Sequence, residues 1–203
     1  MKPWQRIVGA RPNGIGGSPP GLPPEPSGDA RGAFGDLRAS LESELQRESG
    51  SPLLVRASFE LLVGAFVTHA QQSREALGLV AFELDDWKQV HEHGGESVFS
   101  SVFAGLGQEL RRRMRTSDEL GRLGEGQIGA VLPGCEEGSL DSVAHRLRMA
   151  LEARELSFCG EILRPLITTA WLAAPSTPAP PSPARLLEEL ETALERARGA
   201  PPS

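Results

Sequence analysis

Arg115-Thr116-Ser117-Asp118-Glu119-Leu120-Gly121-Arg122-Leu123-Gly124-Glu125-Gly126-Gln127-Ile128-Gly129-Ala130-Val131-Leu132-Pro133-Gly134 is the stretch whose reading decides the fold. Leu120 to Leu123 and Ile128 to Leu132 are apolar runs of strand length. Between them, Gly124-Glu125-Gly126 supplies glycines able to adopt the positive φ of a tight hairpin, and Pro133-Gly134 stops the second strand.

Outward from this hairpin the periodic signals alternate. Upstream, Leu77-Gly78-Leu79-Val80-Ala81-Phe82 is a continuous apolar run suited to a strand covered on both faces, and Asp85 and Asp86 end it. Before it, Val55, Phe59, Leu62, Val63 and Phe66 fit one helical face. After it, Val98, Val102, Phe103, Leu106 and Leu110 form a second stripe running into Arg111-Arg112-Arg113, charges that suit a helix C-terminus. Downstream, Leu140, Val143, Ala144, Leu147 and Leu151 mark a third helix, and Leu166 to Leu172 another strand. Leu186, Leu190, Ala193, Leu194 and Ala197 mark a last helix beyond the Pro-rich loop 175–183. This order predicts one α/β domain: a single mixed sheet covered by helices.

Residues 1–30 are crowded with Gly and Pro and predict a disordered tail. Phe34, Leu37, Leu41 and Leu45 then recur at spacings of three and four, so 31–49 reads as an amphipathic helix and linker. Packing on the domain or on a twin helix would satisfy it equally. Its four apolar side chains, exposed on a lone monomer, would contribute to association. The domain itself occupies 52–199, with a short C-terminal tail at 200–203.

The 203 residues carry 21 Lys and Arg against 27 Asp and Glu, a net charge of -6, which offers no broad positive field to a nucleic acid polymer or an anionic membrane. No stretch approaches the roughly 20 apolar residues that cross a bilayer, and Met1-Lys2-Pro3-Trp4 is not followed by a signal-peptide core. A cytoplasmic location is the expectation. Cys135 and Cys159 lack CxxC spacing and read as reduced structural thiols. His91-Glu92-His93 has neither the i, i+4 spacing of a zinc-binding helix nor further ligands nearby, and no GxSxG motif occurs. Neither a metal nor a cofactor is expected.

The hairpin and its neighbours carry a more particular order. Arg115 to Ile128, followed by AVLPG, resembles without a gap the RxxD…R-[YL]-GGDEF…LLPG signature of diguanylate cyclase domains. Phe82-Glu83-Leu84-Asp85-Asp86-Trp87-Lys88-Gln89-Val90 resembles that family's DxDxFKxI motif. Leu166 to Ala173 sits where the family has its SIGVA strand, and Leu190 to Gly199 is similar to its ADxALYxAKxxG ending. The resemblance covers roughly residues 52 to 199 and implies a palm-like sheet. It also implies a chemistry in which two GTP molecules are joined while carboxylate-held divalent metals neutralise charge at the α-phosphate.

Several positions depart from that pattern. Glu83 stands at the first Asp of DxDxFK and keeps a carboxylate. The third place of GGDEF falls on Gly126 and the fourth on Gln127, whose amide cannot act as a base or a metal carboxylate. Gly124 and Glu125 fill the first two places, and Glu125 could enter the metal site only by a register shift that would turn every side chain over. His91 replaces the Asn after FKxI, the following NDxxGHxxGD stretch is shortened, and the DxLTGLxNR opening is unrecognisable in 51–56. Lys88 could meet a phosphate or be an ordinary exposed charge. The expectation is a degenerate domain without cyclase activity.

Arg115 and Asp118 match the family's RxxD inhibitory site, which in active relatives binds cyclic di-GMP. A guanidinium can grip a phosphate or stack on guanine, and a carboxylate can accept from the guanine N1 and N2 donors. The same pair could instead cap a turn. Arg112, Arg146 and Arg148 are candidate additional basic residues. Two functions stay open: a cyclic di-GMP-responsive effector or signalling module, or a ligand-independent protein–protein interaction scaffold that keeps only the fold. Either implies a protein partner or a homodimer.

Overall fold

The computed structural model describes residues 28–158, 161–174 and 182–199. The chain runs α1 (Gly28–Leu41), α2 (Arg56–Ser73), β1 (Leu77–Leu84), α3 (Trp87–Arg113), β2 (Glu119–Gly124), β3 (Gln127–Pro133), α4 (Glu137–Glu152), β4 (Leu156–Phe158), β5 (Glu161–Leu163), β6 (Ile167–Ala173) and α5 (Pro183–Gly199). Its main sheet has the order β2-β3-β1-β6. β1 is buried along all eight residues, as a doubly covered central strand should be.

The α/β sandwich expected from the order of elements is present. The four strands pair antiparallel throughout. Among the described residues, parallel pairing, which the word mixed implied, is confined to an isolated bridge between Leu54 and Gly121 at the outer edge. There the Leu54 N–H donates to the Leu120 carbonyl and the Arg122 N–H to the Leu54 carbonyl, both at 2.9 Å.

Side chains alternate across a strand, so each face builds its own core. Val80, Phe82 and Leu84 of β1 join Ile128, Ala130 and Leu132 of β3 beneath α3 and α4. Leu79, Ala81 and Val131 pack on the other face with Phe59, Phe66, Leu186 and Leu190 of α2 and α5. By the same alternation Glu83 and Gln127 point to the α5 side. Phe59 presses on the paired Gly121 and Gly129, where an added Cβ would lie 2.3 and 2.6 Å from its ring. Those glycines therefore let α2 lie close on the sheet.

Three features differ from the sequence reading. The first helix begins at Gly28 and ends at Leu41, and it docks on its own domain: Phe34 is buried, 5.0 Å from Phe66 and 4.7 Å from His69, with Leu37, Leu41 and Leu45 against the same core. The apolar face expected to stand exposed is turned onto the domain, Phe34 buried and Leu37, Leu41 and Leu45 half-buried. The second predicted helix starts eleven residues before Val98, at Trp87, and is broken at Gly95, whose φ of 69° admits the break. Finally β4 and β5 form a small separate hairpin that three-residue strands were too short to signal. Residues 1–27, Cys159 and the tail at 200–203 lie outside the described residues. Among those described, no helix is long and apolar enough to cross a membrane.

Candidate functional site

Antiparallel register places Glu83 of β1 opposite Gln127 of β3. Gln127 Nε2 donates to Glu83 Oε2 at 3.2 Å, and Arg198 Nη1, from the last turn of α5, donates to Oε1 at 2.7 Å. Glu83 is only 1% exposed. A carboxylate so buried needs its charge paired, and both of its oxygens are already engaged by side chains of this chain. Arg198 stands at the lysine place of the ADxALYxAKxxG ending. That was the available signal for a cation here, and the sequence reading did not use it.

The hairpin turn is Glu125-Gly126, with Gly124 and Gln127 paired across it. Gly126 has φ 78°, and a Cβ on it would lie 2.3 Å from the Trp87 indole, which packs over the turn from the start of α3. The family resemblance implies divalent metal at this centre, and the residues present do not fit one. Glu83 is held by an arginine and an amide, Gly126 has no side-chain ligand and no room for one while its carbonyl accepts the Leu84 N–H at 3.0 Å, and Gln127 has no charge. Glu125 is exposed at the tip of the turn.

Beside the turn, Trp87, His91, Glu96, Phe99, Arg122 and Glu125 line a half-open pocket of about 210 Å³, with Gly124 at its edge. His91 Nε2 meets Glu96 Oε2 at 3.2 Å, and its ring lies edge-on to Phe99 at 5.2 Å. Arg122 grips Glu48 through two hydrogen bonds of 2.8 and 3.2 Å and stacks 4.3 Å from Phe103. Lys88 is exposed, with its Nζ 5.5 Å from the Trp87 ring centre. His93 contacts the Gln89 carbonyl on its own helix. Among the described residues no group of three or more His, Cys, Asp or Glu could hold a metal ion.

Arg115 and Asp118 lie at the other end of β2, about 20 Å from the turn at 3.3 Å per residue. Asp118 is 5% exposed; its Oδ2 accepts the Arg115 N–H at 2.9 Å and its Oδ1 the Ser117 hydroxyl at 3.3 Å. The pair thus caps its own turn, one of the two roles left open by the spacing. Burial pushes the Asp118 carboxyl above the ordinary aspartate range, against the pull of the Arg115 N–H and the Arg115 and Arg111 charges. Arg111 backs the turn, donating Nη1 to the Asp118 carbonyl at 2.5 Å and Nη2 to the Arg115 carbonyl.

Arg113, Arg115 and Arg146 converge with Asp118 and Cys135 on a hollow of about 20 Å³. Burial lowers the Arg146 pKa, and the Arg115 charge beside it, then that of Arg113, adds to the effect while Asp118 opposes it. Of the three basic candidates raised by the sequence, Arg146 alone is brought to this hollow. Arg112 pairs with Glu109, and Arg148 with Glu152. Arg113, read from the sequence as a charge suited to a helix C-terminus, also lines the hollow while pairing with Glu109 at 3.1 Å.

Residues 51–201 match the protein family described as diguanylate cyclase, GGDEF domain. The chain is similar to the Escherichia coli (strain K12) protein named "Probable diguanylate cyclase DgcE", with 28% identity over 109 residues that make up 54% of this chain and 10% of DgcE. Its fold is like that of Pseudomonas aeruginosa diguanylate cyclase SiaD, solved with its activator SiaC, at TM-score 0.69 and 17% identity over 83% of this chain and 64% of that one. It is also like the GGDEF domain of Caulobacter crescentus DgcB solved with c-di-GMP, at TM-score 0.66 and 14% identity over 76% and 90%. The chain spans between a tenth and a quarter of the curated relatives it matches. With the family matched over three quarters of its length and the fold matched independently, the chain belongs to the diguanylate cyclase GGDEF domain family.

Proposed function

We propose that this chain is a catalytically silent GGDEF domain that binds cyclic di-GMP through Arg115 and Asp118, with Arg146 and Arg113, and acts as a cyclic di-GMP-responsive signalling module. The observation that carries the reading is that Arg113, Arg115 and Arg146 line one hollow together with the buried Asp118, although the Arg113 guanidinium also pairs with Glu109 at 3.1 Å. Like charges gathered in a partly desolvated place favour an anion between them. The ligand's phosphates suit guanidinium forks, and its guanine N1 and N2 donors suit Asp118. With a hollow of only about 20 Å³, the ligand would lie over the turn rather than inside it. The complex of the DgcB GGDEF domain with c-di-GMP supports the ligand class.

Silence at the other end of β2 follows from charge. Phosphoryl transfer rests on electrostatic stabilisation, and losing one such element typically costs about a hundredfold or more in rate. Here Gly126 and Gln127 remove two carboxylates, and Arg198 occupies the third.

Separate calorimetric titrations with cyclic di-GMP and GTP test the reading. Cyclic di-GMP should bind, and Arg115→Ala should weaken it about tenfold to a hundredfold, the scale of a hydrogen bond to a charged group. Gln127→Ala and Lys88→Ala should change little. Binding that survives Arg115→Ala but fails in Gln127→Ala would place the ligand at the hairpin, and conversion of GTP to cyclic di-GMP would end the silent reading. A second reading, a ligand-independent interaction scaffold, is favoured by one observation: the Asp118 carboxylate already caps its turn. No heat with either ligand would leave that reading standing.

A further inference from the structure

Glu119 is 2% exposed, and the two guanidiniums that meet its carboxylate come from the segment ahead of the sheet. Arg38 of α1 pairs with Oε1 through Nε, and Arg47 of the connector reaches Oε2 at 3.1 Å. A buried carboxylate of this kind is tolerated only while it is paired.

Asp118 and Glu119 are neighbours, and successive side chains along a strand point to opposite faces. Asp118 accordingly shares a hollow with Leu132, Val143 and Leu147 on the α4 side. Glu119 meets α1, whose Phe34 belongs to the core on the other face. Arg111 joins the two sides: its guanidinium holds the carbonyls of Arg115 and Asp118 from behind. Burial weighs on the Arg111 cation; Glu119 and then Asp118 support it, while Arg38 and Arg47 oppose it.

We propose that docking of α1 and ligand occupancy at the Arg115–Asp118 turn are coupled through Glu119 and Arg111, so that α1 reports the state of a site on the opposite face of the sheet. The coupling rests on the reading that this turn binds cyclic di-GMP. With α1 docked, Arg38 and Arg47 share the Glu119 carboxylate, and Arg111 stays on the two carbonyls. When α1 leaves, Arg38 goes with it, and more of the pull of Glu119 falls on Arg111 and draws it from behind the turn. A ligand that requires the closed turn then favours docked α1. By linkage, docked α1 favours the ligand by the same factor. Arg38, Arg47, Arg111 and Glu119 act as positioning residues and touch no ligand in this scheme.

Amide hydrogen exchange on the full chain tests the coupling without ligand. Arg38→Gln and Arg47→Gln, made separately, each leave one guanidinium on Glu119 and so keep the fold. Each should speed exchange of the Arg115 and Asp118 amides about tenfold, since one is held by the Asp118 carboxylate and the other by the Arg115 carbonyl. Amides of α4 and α5 should not change. Glu119→Gln, which keeps shape and removes charge, should loosen α1 but leave the turn closed, since no carboxylate is left to draw Arg111 from the two carbonyls. An unaltered turn in both arginine variants, or a turn loosened as much by Glu119→Gln, would overturn the proposal.

The second measurement adds cyclic di-GMP to the wild-type chain. At saturation it should slow exchange along residues 32–41. Measurable binding with unchanged α1 exchange would also overturn the coupling. Absence of any binding would instead count against the ligand reading, and the ligand-free comparison would decide the coupling by itself.

Discussion

Arg198 and Glu83 lie 115 residues apart in sequence and 2.7 Å apart in space, a guanidinium at the end of α5 closing on a carboxylate in the middle of the sheet. Glu83 is 1% exposed on its side chain, whereas Arg198 is 53% exposed. The geometry ties the last helical turn to β1 and places a fixed internal cation where the resemblance implies a metal ion.

The first prediction follows from that pair. Removing one partner of a fully buried ion pair costs about 3–5 kcal/mol. Half of this one is in water, so Arg198→Ala should lose about 2 kcal/mol in urea unfolding. Glu83→Gln in the same background should recover most of the loss, since it removes the stranded charge. A double variant no more stable than Arg198→Ala would show that the arginine acts through packing alone.

Gly126→Asp, the change that would rewrite the missing acid, should destabilise the protein and leave it without cyclase activity. The residue sits at φ 78°, and the new Cβ would lie 2.3 Å from Trp87. Strain of this kind costs about 1–3 kcal/mol before the clash is counted. Trp87→Ala alongside it should return the steric part but not the conformational part, which thermal unfolding of the single and double variants will separate. Adding Gln127→Glu should not restore turnover, because Arg198 would still hold Glu83 and His91 would still stand in the pocket.

The fold was legible where one physical signal repeated. Leu77 to Phe82 read as a doubly covered strand because every residue is apolar, and the hairpin read from glycines between two apolar runs. The Glu83–Arg198 pair was not legible, since nothing local to either residue says which distant charge it meets. The docking of α1 was only half legible: spacing showed an apolar face at Phe34 and Leu37, but spacing is silent on whether the chain's own α2 covers it. The opening stretch of α3 was hidden because Gly94 and Gly95 look like a loop, and one of them is a break between helical segments. Arg111 was invisible for a further reason, since its partners are backbone carbonyls, which carry no sequence signature.

Arg146 and Arg148 are two residues apart on α4, and the sequence ranked them equally. The structure separates them: Arg146 lines the hollow with Arg115 and Asp118, and Arg148 pairs with Glu152 at 3.3 Å. Arg146→Ala should therefore weaken cyclic di-GMP binding about tenfold or more, while Arg148→Ala should leave it within about twofold. Equal losses in the two variants, measured by calorimetry, would mean that the ligand is attracted by the general charge of the α4 face and not by this cluster.

Acidification should weaken the same binding, and earlier than an ordinary aspartate would predict. To accept hydrogen bonds from guanine N1 and N2, Asp118 must be ionised, and its carboxyl is displaced upward by burial from the ordinary value of 3.8. The sign follows directly. As pH falls through the raised pKa, the unliganded site takes up a proton that the complex must release, so affinity drops by up to a factor of ten per pH unit below that pKa and is flat above it. Asp118→Asn should bind more weakly at neutral pH, since one acceptor oxygen becomes a donor, and should show no such decline between pH 7 and the acid limit of folding. Calorimetric affinities for both proteins across that range test the assignment. A wild-type curve as flat as that of Asp118→Asn would mean that Asp118 serves only to cap its turn.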